Sequence, residues 1–119
     1  MTILGVDVSH YQGIMDWNKA KSRGVQFAII KAGEGTSWRD PQFDRNVFEC
    51  RRLGIKWGAY FYFYPQFDTM LQANSFINIL MGHAPEIEIW GDFEQRTGVM
   101  DIARVQSRAK IFMEYIDDF

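Results

Sequence analysis

Apolar residues fall in short blocks cut apart by glycines and polar turns, and the spacing inside the blocks switches between strand-like and helix-like. Ile3-Leu4-Gly5-Val6-Asp7-Val8-Ser9 is an apolar run ending in polar residues, the profile of a buried strand. A helix-like stretch around Asp16 to Arg23 follows and stops at Gly24. Val25-Gln26-Phe27-Ala28-Ile29-Ile30-Lys31 is the second predicted strand. Asp40-Pro41 then predicts an N-cap followed by proline at the first helical position. The helix it opens carries Phe43, Val47 and Cys50 on one face and ends at Gly54. Ile55 to Tyr64 is the third strand, dense in aromatic residues that favour extended structure. Thr69 and Gln72 have capping-box spacing at the head of a helix that aligns Ala73, Phe76, Ile77 and Leu80. Glu86 to Glu94 is the fourth strand, and a last helix sets Ile102, Val105, Ala109, Phe112 and Ile116 at steps of three and four.

Strand, helix, glycine, strand, four times over, is the grammar of a parallel α/β fold. An open doubly wound sheet and a portion of a (β/α)-barrel both fit, and both place ligands at the C-terminal ends of the strands. Those ends read Asp7-Val8-Ser9-His10-Tyr11-Gln12, Lys31-Ala32-Gly33-Glu34-Gly35, Tyr60-Phe61-Tyr62-Phe63-Tyr64-Pro65 and Trp90-Gly91-Asp92-Phe93-Glu94. Acids and aromatics therefore collect at one rim. Such a rim suits a sugar-cleaving cleft, where carboxylates move protons or stabilise positive charge and aromatic faces stack on pyranose rings.

Composition narrows the field. The chain has 119 residues, 47% of them hydrophobic, which suits one domain able to bury a core without metals or disulfides. Thirteen basic and fifteen acidic residues are interspersed, so the basic stripe of a nucleic-acid binder is missing. No apolar run reaches the length of a membrane span, and the first residues lack the charged and apolar regions of a secretion signal. The expectation is a protein without a signal peptide, made in the cytoplasm and acting on a cell wall or exported by another route. Cys50 has no internal partner and reads as a packed thiol rather than a nucleophile.

Asp92 and Glu94 are the sharpest pair. Side chains two apart on a strand share a face, with alpha carbons roughly 6.5 Å apart at about 3.3 Å per residue. Two close acids in a partly desolvated cleft have their pKa values pushed apart, so one can serve as acid while the other is ionised. The plainer alternative is a polar strand end, with Glu94 acting on the next helix. Asp7 alone could equally tidy a loop; the shared rim is what raises all three. His10 is a candidate base or an ordinary loop histidine, and His83 reads as capping or solvent-exposed. The two histidines lack ligand spacing, so no metal site and no cofactor is expected. Gly33-Glu34-Gly35 lacks the lysine and spacing of a phosphate loop, and Ser9-His10-Tyr11-Gln12 is a poor one, which weighs against a flavodoxin-like nucleotide binder. Lys31 and Glu34 could simply pair. On strand three, Tyr60 and Tyr62 share one face and Phe61 and Phe63 the other.

At these residues the sequence resembles glycoside hydrolase family 25, the N-acetylmuramidase type of lysozyme found in bacteria and phage endolysins. The resemblance rests on Gly5 to Gly13 with Asp16-Trp17, on Phe27 to Gly35 with Asp40, Phe43 and Asn46, on Gly58-Ala59-Tyr60, on Gln72-Ala73 with Phe76, and on Asp92-Phe93-Glu94. It implies a (β/α)-barrel type of fold, with these four units equivalent to the first half of a TIM-like barrel and residues 1–119 a single, partial catalytic domain. It implies cleavage of the β-1,4 bond between N-acetylmuramic acid and N-acetylglucosamine in peptidoglycan. Glu94 becomes the general acid, Asp92 the group that orients the substrate's acetamido, and Asp7 a supporting carboxylate. Glu34, Tyr60, Tyr62 and His10 would meet the glycan strand. Substrate-assisted glycosidases, whose nucleophile is the acetamido itself, are a known exception to the two-carboxylate scheme.

Two departures from the family pattern stand out. Phe61 occupies a position where the family often has histidine. Family members also continue through four more strands, which bring a further acid and an aromatic wall. Half a barrel would leave strand edges unpaired. The expectations are a fragment of a longer enzyme, one half of a two-chain enzyme, or a two-fold dimer. The competing function is a degenerate lysozyme-like module that binds glycan or serves a structural role.

Overall fold

Strand β1 (Leu4–Val8) leads through a single 3-10 turn (His10–Gln12) to helix α1 (Trp17–Ser22) and strand β2 (Val25–Glu34). A two-residue strand β3 (Trp38–Arg39), helix α2 (Phe43–Leu53), strand β4 (Lys56–Tyr62) and helix α3 (Thr69–Leu80) follow. Strand β5 (Ile89–Asp92) and helix α4 (Ile102–Asp117) complete the order. The computed structural model describes residues 3–93 and 102–117.

The sheet runs β1-β2-β4-β5 with every neighbour in that path parallel, and β3 pairs antiparallel with the end of β2. Strand order follows chain order without the reversal that defines a doubly wound sheet. Parallel crossovers are right-handed, so an unreversed order carries each connecting helix to the same face. That face is the core. Ala28, Ile30 and Ala32 of β2 and Trp57, Ala59 and Phe61 of β4 are buried there, with Phe63 just beyond. Trp17, Phe43, Val47, Cys50, Phe76, Phe112 and Ile116 of the helices close over them. Phe112 stacks on Phe61 at 5.7 Å and on Phe76 at 6.3 Å, with Phe63 5.1 Å away, and this aromatic cluster fixes α3 and α4 to the sheet. As the alternation requires, Phe61 and Phe63 lie in the core while Tyr60 and Tyr62 stay half-exposed on the opposite face.

The predicted faces and stops of α2 and α3 hold. Gly54 caps α2 at φ 69°, a left-handed position that glycine takes without strain. Two predicted helix caps are corrected. Asp40 is buried and turned inward, so α2 begins later, at Phe43 behind Gln42, which makes no side-chain cap bond. Helix α3 is capped by Asp68, whose Oδ1 accepts from the Leu71 amide at 2.9 Å. Gln72 is instead fully buried and reaches back to the Tyr64 backbone, accepting from its N–H at 2.8 Å and donating to its carbonyl at 2.8 Å. A true capping box stands where none was expected, between Ser9 and Gln12. β5 is shorter than predicted because the Glu86 and Ile87 amides both donate to the Trp57 carbonyl, at 2.9 and 3.0 Å, rather than extending the ladder.

Candidate active site

The open face of the sheet carries the polar strand ends, and a one-residue irregularity decides which of them meet. Lys31 lies opposite Tyr60, Gly33 opposite Phe61 and Glu34 opposite Tyr62, so Ala32 is an extra residue in β2. Without that bulge Gly33 would share the face of Tyr62 and Glu34 would point into the core. With it, Lys31 and Glu34 stand together although three residues apart, and Lys31 Nζ donates to Glu34 Oε1 at 2.6 Å. Gly33 makes room for β3: a Cβ there would collide with the Trp38 carbonyl oxygen.

Register brings the remaining rim residues to the same face, with Trp90 opposite Tyr60 and Asp92 opposite Tyr62. An open cleft of about 490 Å³ is lined by Asp7, Ile29, Tyr60, Trp90 and Asp92, with Gly91 and Phe93. A second hollow of about 360 Å³ adjoins it, lined by Tyr11, Lys31, Glu34, Tyr60, Tyr62, Tyr64 and Asp92. Tyr60 and Asp92 are common to both, so the two form one elongated groove across the strand ends, each part within the volume range of a ligand site. Asp7 is exposed at its edge and Asp92 half-exposed within it.

Electrostatics hold the groove in a defined protonation pattern. Burial pushes the Tyr60 hydroxyl up to about 12, and the negative charges of Asp7, Asp92 and Asp40 push the same way against a hydrogen bond from Ser9. Tyr60 is therefore a neutral hydrogen-bond donor at neutral pH, set between Asp7 and Asp92. Burial alone would raise Glu34, but hydrogen bonds from Lys31 and Tyr64 and the Lys31 and His10 charges outweigh it and hold the carboxyl below its ordinary value. The Tyr64 hydroxyl donates to Glu34 Oε2, and that bond, with burial, pushes the phenol up to about 12. Lys31 is buried, and its ammonium lies 5.1, 5.5 and 5.9 Å from the ring centres of Trp38, Tyr62 and Tyr11.

His10 belongs to the scaffold of this rim. Asp40 Oδ2 accepts from the His10 amide at 2.8 Å and meets Nδ1 at 3.2 Å, while Oδ1 accepts from the Gln42 amide at 2.8 Å. Of the two readings given for His83, capping holds, since its amide donates to the Leu80 carbonyl at 2.9 Å, and solvent exposure does not. His83 is half-buried on the helix side, with Nε2 3.1 Å from Asp44 Oδ1 and its ring edge-on to Phe43 and Trp57. Among the described residues no cluster of three or more His, Cys, Asp or Glu is placed to hold a metal.

Asp7, Asp92, Tyr60, Tyr62 and Glu34 thus meet in one groove. Glu94 lies outside the described residues. Sequence reasoning passed over Tyr11, Trp38, Tyr64 and Trp90. Tyr64 and Trp90 stood in the quoted strand ends, where parity with Tyr62 and Asp92 signals the shared face. Trp38 had no such signal, because β3 exists only through its pairing with β2.

Residues 6–118 match the family model described as glycosyl hydrolases family 25. Lysozyme M1 of Streptomyces globisporus is 44% identical over 63 residues, covering 53% of this chain and 21% of that protein. The protein YegX of Escherichia coli (strain K12) is 33% identical over 98% of this chain and 44% of its own length. A solved family 25 glycosyl hydrolase from Bacillus anthracis superposes with a TM-score of 0.89 at 26% identity, over 98% of this chain and 56% of that one. The chain spans about half or less of the length of these relatives. Since the match runs unbroken through all four strand ends that build the groove, this chain belongs to the glycosyl hydrolases of family 25.

Proposed function

We propose that this chain carries the acid-bearing part of a peptidoglycan hydrolase that cuts the β-1,4 bond between N-acetylmuramic acid and N-acetylglucosamine. The observation that carries the proposal is the groove in which Asp7 of β1 and Asp92 of β5 flank the neutral Tyr60 hydroxyl. Glu94 is the proposed general acid that protonates the leaving oxygen. Asp92 accepts from the acetamido N–H and turns its carbonyl oxygen toward the anomeric carbon, with Asp7 supporting the positive charge that develops there. Attack by the acetamido oxygen and then by water would retain the anomeric configuration; product anomer analysis showing inversion would remove that step.

We further read the four units as the first half of a TIM-like barrel. The unreversed strand order, the helices on one face and the coverage of 56% of the Bacillus anthracis chain support it. In that reading β1 and β5, each paired on one side only among the described residues, are met by further strand–helix units in the continuing chain or a second one.

The test is release of reducing ends from purified peptidoglycan. Glu94→Gln is expected to lower it by about 10²–10⁴-fold, the share of a general acid. Absence of cleavage by the wild type, with glycan binding retained, would favour the non-catalytic module.

A further inference from the structure

Helix α3 turns a face to solvent that holds no charge. Residues 69–82 contain no Asp, Glu, Lys or Arg, whereas the exposed positions of α2 include Asp44, Arg51 and Arg52 and those of α4 include Lys110 and Glu114. The inward side of α3 is spent on the core, where Gln72, Ala73, Phe76, Ile77 and Ile79 are buried. Its outward side carries Leu71, Asn74 and Asn78, with Met81 at the C-cap, all exposed. At 3.6 residues per turn these four fall within about 80° of one another and span about 15 Å. Leu71 leaves 55% and Met81 66% of its surface in water, so neither is explained by packing within the chain. A helix that only faces water carries charged residues on this side. Loss of charge with gain of methionine is the composition at the centre of a protein interface.

The order along the stripe identifies the partner. Apolar, amide, amide, apolar at steps of three, four and three reads the same from either end. A two-fold contact has to be self-complementary, residue i meeting j while j meets i. Two copies of α3 packed antiparallel across such an axis set Leu71 of each against Met81 of the other, and Asn74 against Asn78. Facing carboxamides satisfy one another, since each offers donors and an acceptor. The absence of charge removes the like-charge repulsion that a two-fold contact otherwise invites. A hollow of about 370 Å³ beside the stripe, whose lining includes Thr36, Ser37, Leu71, Asn74 and Asn78, seats side chains of the facing helix. Arg39 at its edge is already paired with Asp44 at 2.6 Å.

We propose that this face of α3 binds a second copy of the chain. It lies on the helix side of the sheet, away from the outer edges of β1 and β5, and the pairing leaves both grooves open.

The experiment is disulfide trapping that reads the register. Leu71→Cys and Met81→Cys are prepared in the full chain and oxidised separately and as an equal mixture; Cys50 is buried and does not compete. The mixture should give a cross-linked dimer holding one chain of each kind, and the separate variants should not. In sedimentation, Asn74→Lys combined with Asn78→Lys should weaken self-association at least about ten-fold, because lysines then meet across the axis. Asn74→Glu combined with Asn78→Lys, which sets opposite charges across it, should recover the association. All four positions are exposed, and urea midpoints serve as the folding control. Cross-linking by either variant alone as readily as by the mixture, none in the mixture, or association untouched by the paired lysines would overturn the proposal.

Discussion

Replacing Lys31 by methionine removes the groove's buried ammonium while keeping a straight, unbranched stem in its channel. Glu34 then retains only the Tyr64 hydroxyl of the two groups that hold its carboxylate. Breaking one side of a fully buried pair costs about 3–5 kcal/mol. The Glu34 side chain keeps 24% of its surface in water, so part of that cost is recovered by hydration and about 2–3 kcal/mol is the expected loss. Loss of the ammonium from the faces of Trp38, Tyr62 and Tyr11 is included in that figure. Urea unfolding should show a lower midpoint with an unchanged slope. The decisive comparison is the cycle with Glu34→Gln. Because the lone carboxylate is what suffers in Lys31→Met, the double variant should be more stable than the sum of the single losses by about 1.5 kcal/mol. Losses that add to within about 0.5 kcal/mol would refute the coupling and, with it, the role given to the Ala32 bulge.

Four further outcomes follow from the same geometry. Glu34 titrates below its ordinary value of 4.5 in the folded state, so its stabilisation is present above that value and lost as pH falls through the lowered one; acid unfolding of Glu34→Gln should be less steep there than that of the wild type. Tyr60 and Tyr64 should ionise near 12 in a near-ultraviolet titration, and Tyr60→Phe and Tyr64→Phe should each remove one group from that step. Gln72→Leu leaves the Tyr64 N–H and carbonyl without their side-chain partners and should cost about 2–4 kcal/mol in urea unfolding. Cys50 is buried with its thiol pushed up to about 12, so a disulfide reagent should modify it only as the chain unfolds.

Much of this arrangement is legible in the amino-acid sequence because short-range rules govern it. The helix stripe through Phe43, Val47 and Cys50 and the parity of Tyr60 to Phe63 depend only on local period, and both appear as read. The misses come from long-range partners. Asp40 has the local form of an N-cap and its Oδ1 accepts from the Gln42 amide, but Oδ2 is taken by the His10 loop thirty residues earlier. Thr69 to Gln72 has the spacing of a capping box, but Gln72 is taken by the Tyr64 backbone. Lys31 and Glu34 pair as read, but the bulge that brings them to one face against regular alternation has no local signal. Trp38 joins the rim through β3, whose pairing with β2 depends on the missing side chain of Gly33. In the acid cluster itself, Asp7 and Asp92 line one cleft as their strand-end positions imply.

The most direct test of the proposed function is the chemical identity of the ends created when purified glycan strands are incubated with the protein. Borohydride reduction followed by mass spectrometry should find N-acetylmuramic acid at the new reducing ends, at a yield that collapses in Asp92→Asn. New reducing ends bearing N-acetylglucosamine, or muramic acid ends formed equally well by Asp92→Asn, would contradict it.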